Sequence, residues 1–317
     1  MENHSLQRPR RGETFVAMYH YVRPAEPGGL NYLPLDVFRW QLDWLAEHYG
    51  ILNREDWAAL KSGELRPGVL LTFDDGLSDG VRWVLPELVS RGIEAIFYVC
   101  SDVFTNQKVL SVHLVHFLLR HSEPAKALEM ISAELSQPDL RVIEDEIGRV
   151  AYSRHRDSAS KKLLKRLVNY GMSSDRYRPA LLEAISVATG IQEADLARDW
   201  YLNQDELREI LKHGQVIGSH TCSHRLLSRL EQDEVRIEVC KSRATIEEIL
   251  GITVDDFCYP YGGPTSYNPM VINELRRAGY RTGMSVESRP VSSLDTENLF
   301  EIPRFDCNYF LPKELNS

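Results

Sequence analysis

Short apolar runs rich in β-formers alternate with helical patterns along most of this chain, and that alternation restricts the fold to one built on a mostly parallel sheet. Phe15-Val16-Ala17-Met18-Tyr19 comes first, followed by a helix whose Phe38, Leu42 and Leu45 share a face. Val69-Leu70-Leu71-Thr72-Phe73 and Ala95-Ile96-Phe97-Tyr98-Val99 flank a helical stretch that contains Pro86. The rhythm returns at Val216-Ile217-Gly218, Phe257-Cys258-Tyr259, Tyr280 to Ser285 and Phe300-Glu301-Ile302, with a helix expected over Val235 to Leu250. Such a sheet either stays open or closes into a barrel, and catalytic residues then gather at the C-terminal ends of its strands.

Between Asn106 and Ala197 the strand signal stops, while Leu163, Leu164, Leu167 and Val168 recur at helical spacing among Lys, Arg and Glu. This stretch reads as a helical insertion, 106–197, inside a single catalytic domain spanning 1–317. A cover over the site's mouth, an oligomer contact and a unit packed beside the sheet all fit it.

Two segments at expected strand ends carry the chemistry. In Leu71-Thr72-Phe73-Asp74-Asp75-Gly76, adjacent carboxylates stand where a buried strand stops, and Gly76 permits a sharp exit. Taken alone, an acidic pair before glycine reads as a turn. Two carboxylates this close repel, which raises one pKa unless a cation or an arginine offsets the charge. In Gly218-Ser219-His220-Thr221-Cys222-Ser223-His224 the histidines are four apart, so one helical turn is expected to set both imidazoles on one face. One Asp and two His leave a coordination position open, as a catalytic metal site requires.

These residues resemble the polysaccharide deacetylases, the NodB-homology or carbohydrate esterase family 4 group. The resemblance runs over roughly Phe15 to Val99 and Leu202 to Arg304, on Thr72-Phe73-Asp74-Asp75-Gly76, His220-Thr221-Cys222-Ser223-His224 and Tyr259-Pro260-Tyr261-Gly262. It implies an α/β fold, a distorted (β/α) barrel of the polysaccharide deacetylase type. It also implies a divalent metal on Asp75, His220 and His224, Asp74 as general base, and the backbone N–H of Tyr261 as a donor to the oxyanion.

Two family features are missing. The third motif usually opens with an Arg that orients the base, whereas Cys258 stands there; Arg304, in Glu301-Ile302-Pro303-Arg304, is the expected substitute, because a guanidinium grips a carboxylate through two hydrogen bonds. The family's general acid is commonly a C-terminal His, yet no histidine follows His224. His20, in Met18-Tyr19-His20-Tyr21-Val22, is the expected replacement. His113 and His116 of the insertion read as ordinary, as do His48, His121, His155 and His213 in charged stretches. Trp83 and Tyr267 could offer an apolar face to a sugar ring, although aromatics more often serve the core.

Composition narrows the partners. A formal net charge of -9 opposes nucleic-acid binding, and the positive run from Arg154 to Arg166 reads as a solvated helix face. Neither a signal-peptide core of roughly 7 to 15 apolar residues nor a run approaching roughly 18 for a transmembrane segment is seen, so a cytoplasmic protein is expected. Five cysteines without a C-x-x-C pair argue against a disulfide framework or a thiolate zinc knuckle. The expected activity is metal-dependent hydrolysis of an N-acyl group, N-acetyl first, from an amino sugar, with zinc the first choice of metal and an N-acetylated sugar or glycan as substrate. A cytoplasmic nucleotide-linked or lipid-linked sugar or an oligosaccharide, in O-antigen or capsule synthesis, follows from location and resemblance together. The competing readings are an amidohydrolase on a non-sugar amide or formamide, and a catalytically silent glycan-binding protein.

Overall fold

The computed structural model describes residues 8–24, 32–132, 157–170 and 174–312. Seven strands form one parallel sheet: β1 (Thr14–Tyr19), β4 (Gly68–Phe73), β5 (Ala95–Val99), β6 (Val216–Ser219), β7 (Asp256–Cys258), β8 (Thr282–Met284) and β9 (Phe305–Asp306), in the spatial order β8-β7-β6-β5-β4-β1-β9. β2 (Val22–Arg23) and β3 (Leu33–Pro34) make a separate small pair. The sheet curls with helices on its outside into a distorted (β/α) barrel.

Alternation along each strand divides the core in two. Phe15, Ala17 and Tyr19, Val69, Leu71 and Phe73, Ala95, Phe97 and Val99, and Phe257 and Tyr259 face outward into the large cluster shared with the helices. Val16, Leu70, Ile96, Tyr98, Cys258, Met284 and Ile302 form a second, inner cluster. Both faces are therefore apolar, which is why the strands read as near-continuous hydrophobic runs. The helix Leu35–His48 buries Phe38, Leu42 and Leu45 as its spacing predicts.

Some boundaries differ from expectation. Around Phe300-Glu301-Ile302 only an isolated bridge from Ile302 to Met284 forms, and the last strand is Phe305–Asp306, paired with β1. The helix expected over Val235 to Leu250 is continuous but opens into a π-turn at Ile237–Lys241. Between β5 and β6 the described residues hold the helices Ser101–Thr105, Ser111–His121, Pro124–Ser132, Ala159–Tyr170, Ser174–Thr189, Glu193–Trp200 and Gln204–Lys212. Leu164, Leu167 and Val168 are buried there. Of the insertion, residues 133–156 and 171–173 lie outside the described residues, and with them His155 and the start of the Arg154 to Arg166 run.

Candidate metal centre

The β4 strand delivers the two acids to one place by different means. Asp74 continues the inward register of Leu70 and Thr72, whereas Asp75 takes φ +74°, and Gly76 follows at φ +70°. Without that left-handed turn Asp75 would point outward, so a conformation unusual for a non-glycine residue puts both carboxylates in the barrel mouth.

The His220–His224 segment is not helical. Thr221 (φ +71°) and His224 (φ +61°) bend it into a loop, which brings the rings to 4.9 Å between centroids. The expected helical turn fails because the loop's polar groups are claimed elsewhere. Glu238 accepts from the N–H groups of Cys222 and Ser223 (3.0 Å each) and from the Ser223 hydroxyl (2.6 Å). Ser101 N–H and Asp102 N–H donate to the carbonyls of Thr221 and Cys222. His220 Nδ1 donates to the Cys258 carbonyl (2.8 Å), which leaves Nε2 with a free lone pair.

Asp75 Oδ1 then lies 3.4 Å from both His220 Nε2 and His224 Nε2. That oxygen is buried without a hydrogen-bond partner among the described residues, and the three residues are 2%, 1% and 8% exposed. A tetrahedral ion with bonds of about 2.0–2.1 Å holds its ligand atoms roughly 3.3 Å apart, so the spacing, the donor set and the orphaned oxygen all fit a divalent metal. Burial takes the His224 imidazole down to about 3, the neutral form a ligand needs. Burial alone would push the Asp75 carboxyl up; the imidazole of His113, with those of His220 and His224, instead brings it well below the usual carboxylate range.

Arg304, 1% exposed, reaches across the barrel to Asp74 with Nη1 at 2.9 Å from Oδ1 and Nη2 at 2.8 Å from Oδ2. Its remaining hydrogen bonds go to the Ser285 carbonyl, the Thr72 hydroxyl and Cys258 Sγ (3.0 Å). Burial would raise the Asp74 carboxyl, but the Arg304 guanidinium beside it holds it below its ordinary value. His20 Nε2 stands 3.9 Å from Asp74 Oδ2 and 4.0 Å from Asp75 Oδ2, and its side chain is 36% exposed, at the opening. Tyr261, at φ +64°, sets its ring 4.8 Å from that of His224. Gly262 secures this loop: at φ +65° a Cβ would sit 2.3 Å from Val286 Cγ2.

Residues 183–283 match the family model for polysaccharide deacetylase, a span that includes the two histidines and Tyr259-Pro260-Tyr261-Gly262. Over that span the chain is similar to the polysaccharide deacetylase family. YxkH of Bacillus subtilis, which carries the family's name, is 25% identical over 87 residues, 27% of this chain and 30% of that relative's length. Among solved structures the fold is similar to that of the Streptococcus pyogenes deacetylase PplD in complex with acetate (17% identity, 95% of this chain and 93% of that one, TM-score 0.58). It is also similar to IcaB from Ammonifex degensii (16% identity, 94% and 93%, TM-score 0.54). A de-N-acetylase from Aggregatibacter actinomycetemcomitans shares the fold as well (14% identity, 92% and 94%, TM-score 0.52).

The chain's departures from the deacetylase pattern that it resembles have a structural form. Cys258 takes the place of the third-motif Arg, and the guanidinium comes instead from the segment before β9, its Nη2 resting on the Cys258 sulfur. Tyr267, stacked on Tyr259 at 4.1 Å and 8% exposed, offers no face to a sugar. Trp83 is 37% exposed on the π-turn Gly80–Val84. Tyr170, from the insertion, approaches Tyr261 to 4.9 Å. His113 departs from the sequence expectation: read as ordinary, it is 1% exposed with Nε2 3.0 Å from Asp75 Oδ2. Among the described residues, the rings of His48, His121 and His213 bond locally, within their own helices or helix ends.

Proposed function

We propose that this protein removes an N-acyl group, N-acetyl first, from an amino sugar by metal-dependent hydrolysis. The observation that carries the reading is the pairing of two differently held carboxylates: Asp75 turned toward two imidazole nitrogens, and Asp74 gripped by a buried Arg304. A divalent metal on Asp75, His220 and His224, with zinc the first choice, supplies Lewis acidity toward an amide and acidifies water. Asp74, kept ionised and oriented by Arg304, accepts the proton of the attacking water. The Tyr261 N–H donates to the oxyanion, and His20 delivers a proton to the departing amine. A silent glycan-binding protein has no use for a carboxylate held this way. Acting in the cytoplasm, the enzyme would take a nucleotide-linked or lipid-linked N-acetylated sugar, or an oligosaccharide, as a step in O-antigen or capsule synthesis.

The test is bound-metal stoichiometry of wild type beside His220→Ala after chelation and re-equilibration with zinc, followed by an acetate-release screen of nucleotide sugars and glycans. Near one metal per chain, lost in the variant, with acetate released, is the expected result. Equal metal in both proteins would overturn the ligand set, and formate release or activity on sugar-free amides would move the substrate outside amino sugars.

A further inference from the structure

The insertion reaches the metal centre through its first helix, and the chain just past its end supports that contact. His113 lies on the helix Ser111–His121 and meets Asp75 Oδ2 through Nε2 at 3.0 Å. Its other nitrogen, Nδ1, lies 2.5 Å from the hydroxyl of Tyr201, just past the helix Glu193–Trp200, and that hydroxyl accepts the Leu110 N–H at 2.9 Å. The direction of the chain follows. An ionised Asp75 can only accept, so His113 carries its proton on Nε2 and donates it to Oδ2, and the neutral ring's Nδ1 then accepts from the Tyr201 hydroxyl, whose oxygen takes the Leu110 N–H. The ring has no freedom to turn: Tyr201 stacks on it at 5.6 Å and 22°, and Tyr21 packs at 5.3 Å. Tyr201 in turn is strapped to the loop that follows Asp75, by its bridge to Leu77 and by the Leu202 N–H donating to the Gly76 carbonyl at 2.9 Å.

We propose that His113 is a positioning residue for Asp75. By occupying Oδ2, with its tautomer set by Tyr201, it leaves Oδ1 as the one oxygen turned to His220 and His224, so a unit outside the barrel fixes the coordination of the metal. The arrangement is a carboxylate–histidine pair built in reverse, in which the carboxylate is the ligand and the imidazole its support. This inference rests on the metal centre proposed above.

Zinc affinity, measured by competition with a chromophoric chelator, tests it in wild type, His113→Ala, His113→Gln and Tyr201→Phe. Loss of the support is expected to weaken binding about 10- to 100-fold in His113→Ala. His113→Gln, whose amide N–H can reach Oδ2, should recover most of that loss, and Tyr201→Phe should fall between. The cobalt(II) absorption bands of His113→Gln should keep the wild-type pattern. Wild-type affinity in a folded His113→Ala overturns the proposal, as do cobalt bands in His113→Gln that report a lost nitrogen ligand, which would make His113 itself a ligand. Should His113→Ala not fold, His113→Gln and Tyr201→Phe decide: wild-type affinity in Tyr201→Phe together with full loss in His113→Gln assigns His113 to packing. A wild type that takes up no zinc instead removes the metal centre itself.

Discussion

Arg304 and Cys258 together show how one residue's size sets another's task. The thiol at 258 is small enough to leave the guanidinium of Arg304 room beside Asp74, with Nη2 3.0 Å from Sγ. Arg304→Met should lower kcat by about 10- to 100-fold, as loss of a supporting partner does. The sign of the accompanying pH effect is fixed: Arg304 lowers the Asp74 carboxyl, so its removal raises that value and moves the acid limb of the kcat/KM profile to higher pH. The same pair bears on stability. Because the folded carboxyl lies below its unfolded value of about 3.9, its contribution is present above that pH and lost as pH falls through the folded value. The double variant Cys258→Arg with Arg304→Met moves the guanidinium to position 258, and a kcat no better than that of Arg304→Met alone would show that the origin of the guanidinium matters. The acids, the histidine pair and Arg304 were legible in the sequence because each sits in a short motif at a strand end. His113 was not: its contact with Asp75 is created by docking of a helix remote in sequence, and nothing around it on that helix marks it out.

Elements were legible where both faces of a strand are buried, and less so where pairing is brief. β9 has two residues in register with β1, too short for periodicity to find, and the apolar run before it forms a single bridge. The histidine loop was misread as helical because spacing alone cannot register hydrogen bonds supplied from other elements. Glu238 is the chief of these, buried with three donors on its carboxylate. Glu238→Ala should therefore destabilise the fold by roughly 2–4 kcal/mol in urea unfolding, given about 1–3 kcal/mol for each buried donor left unpaired and partial relaxation. It should also weaken zinc binding, while Glu238→Gln, which keeps an acceptor for the two N–H groups, should lose much less. In the Tyr261 loop, Gly262→Ala adds about 1–2 kcal/mol of left-handed strain to the clash with Val286. Thermal denaturation should show a lowered Tm, and acyl release should drop because the Tyr261 N–H is displaced.

At the scale of the molecule, a metal held by Asp75, His220 and His224 would tie together elements from distant parts of the chain, so its removal should be felt by all of them. A ligand at 100 times its Kd stabilises by about 2.7 kcal/mol, and chelation should therefore lower the wild-type Tm while leaving that of His220→Ala unmoved, as read by scanning calorimetry. The fold class was legible from the β-α rhythm; the part played by the insertion was not, since only its docking on Asp75 and Tyr261 shows that it borders the site. One pairing described above has a consequence in time. β5 and β6 are neighbours, Val99 opposite Ser219, yet residues 100–215 lie between them in the chain. The entropy of closing so long a loop grows only slowly with length, by about 0.6 kcal/mol per doubling, but contacts of such wide separation form slowly. The helices Ser111–His121 and Ser174–Thr189 pack on one another within that loop, and their docking would shorten it. The expected folding order is that the helices of the insertion gather first, the β5–β6 pairing follows and the histidine loop, which hangs from β6, meets Asp75 last; pulsed hydrogen exchange that protects β5 and β6 before those helices would contradict it.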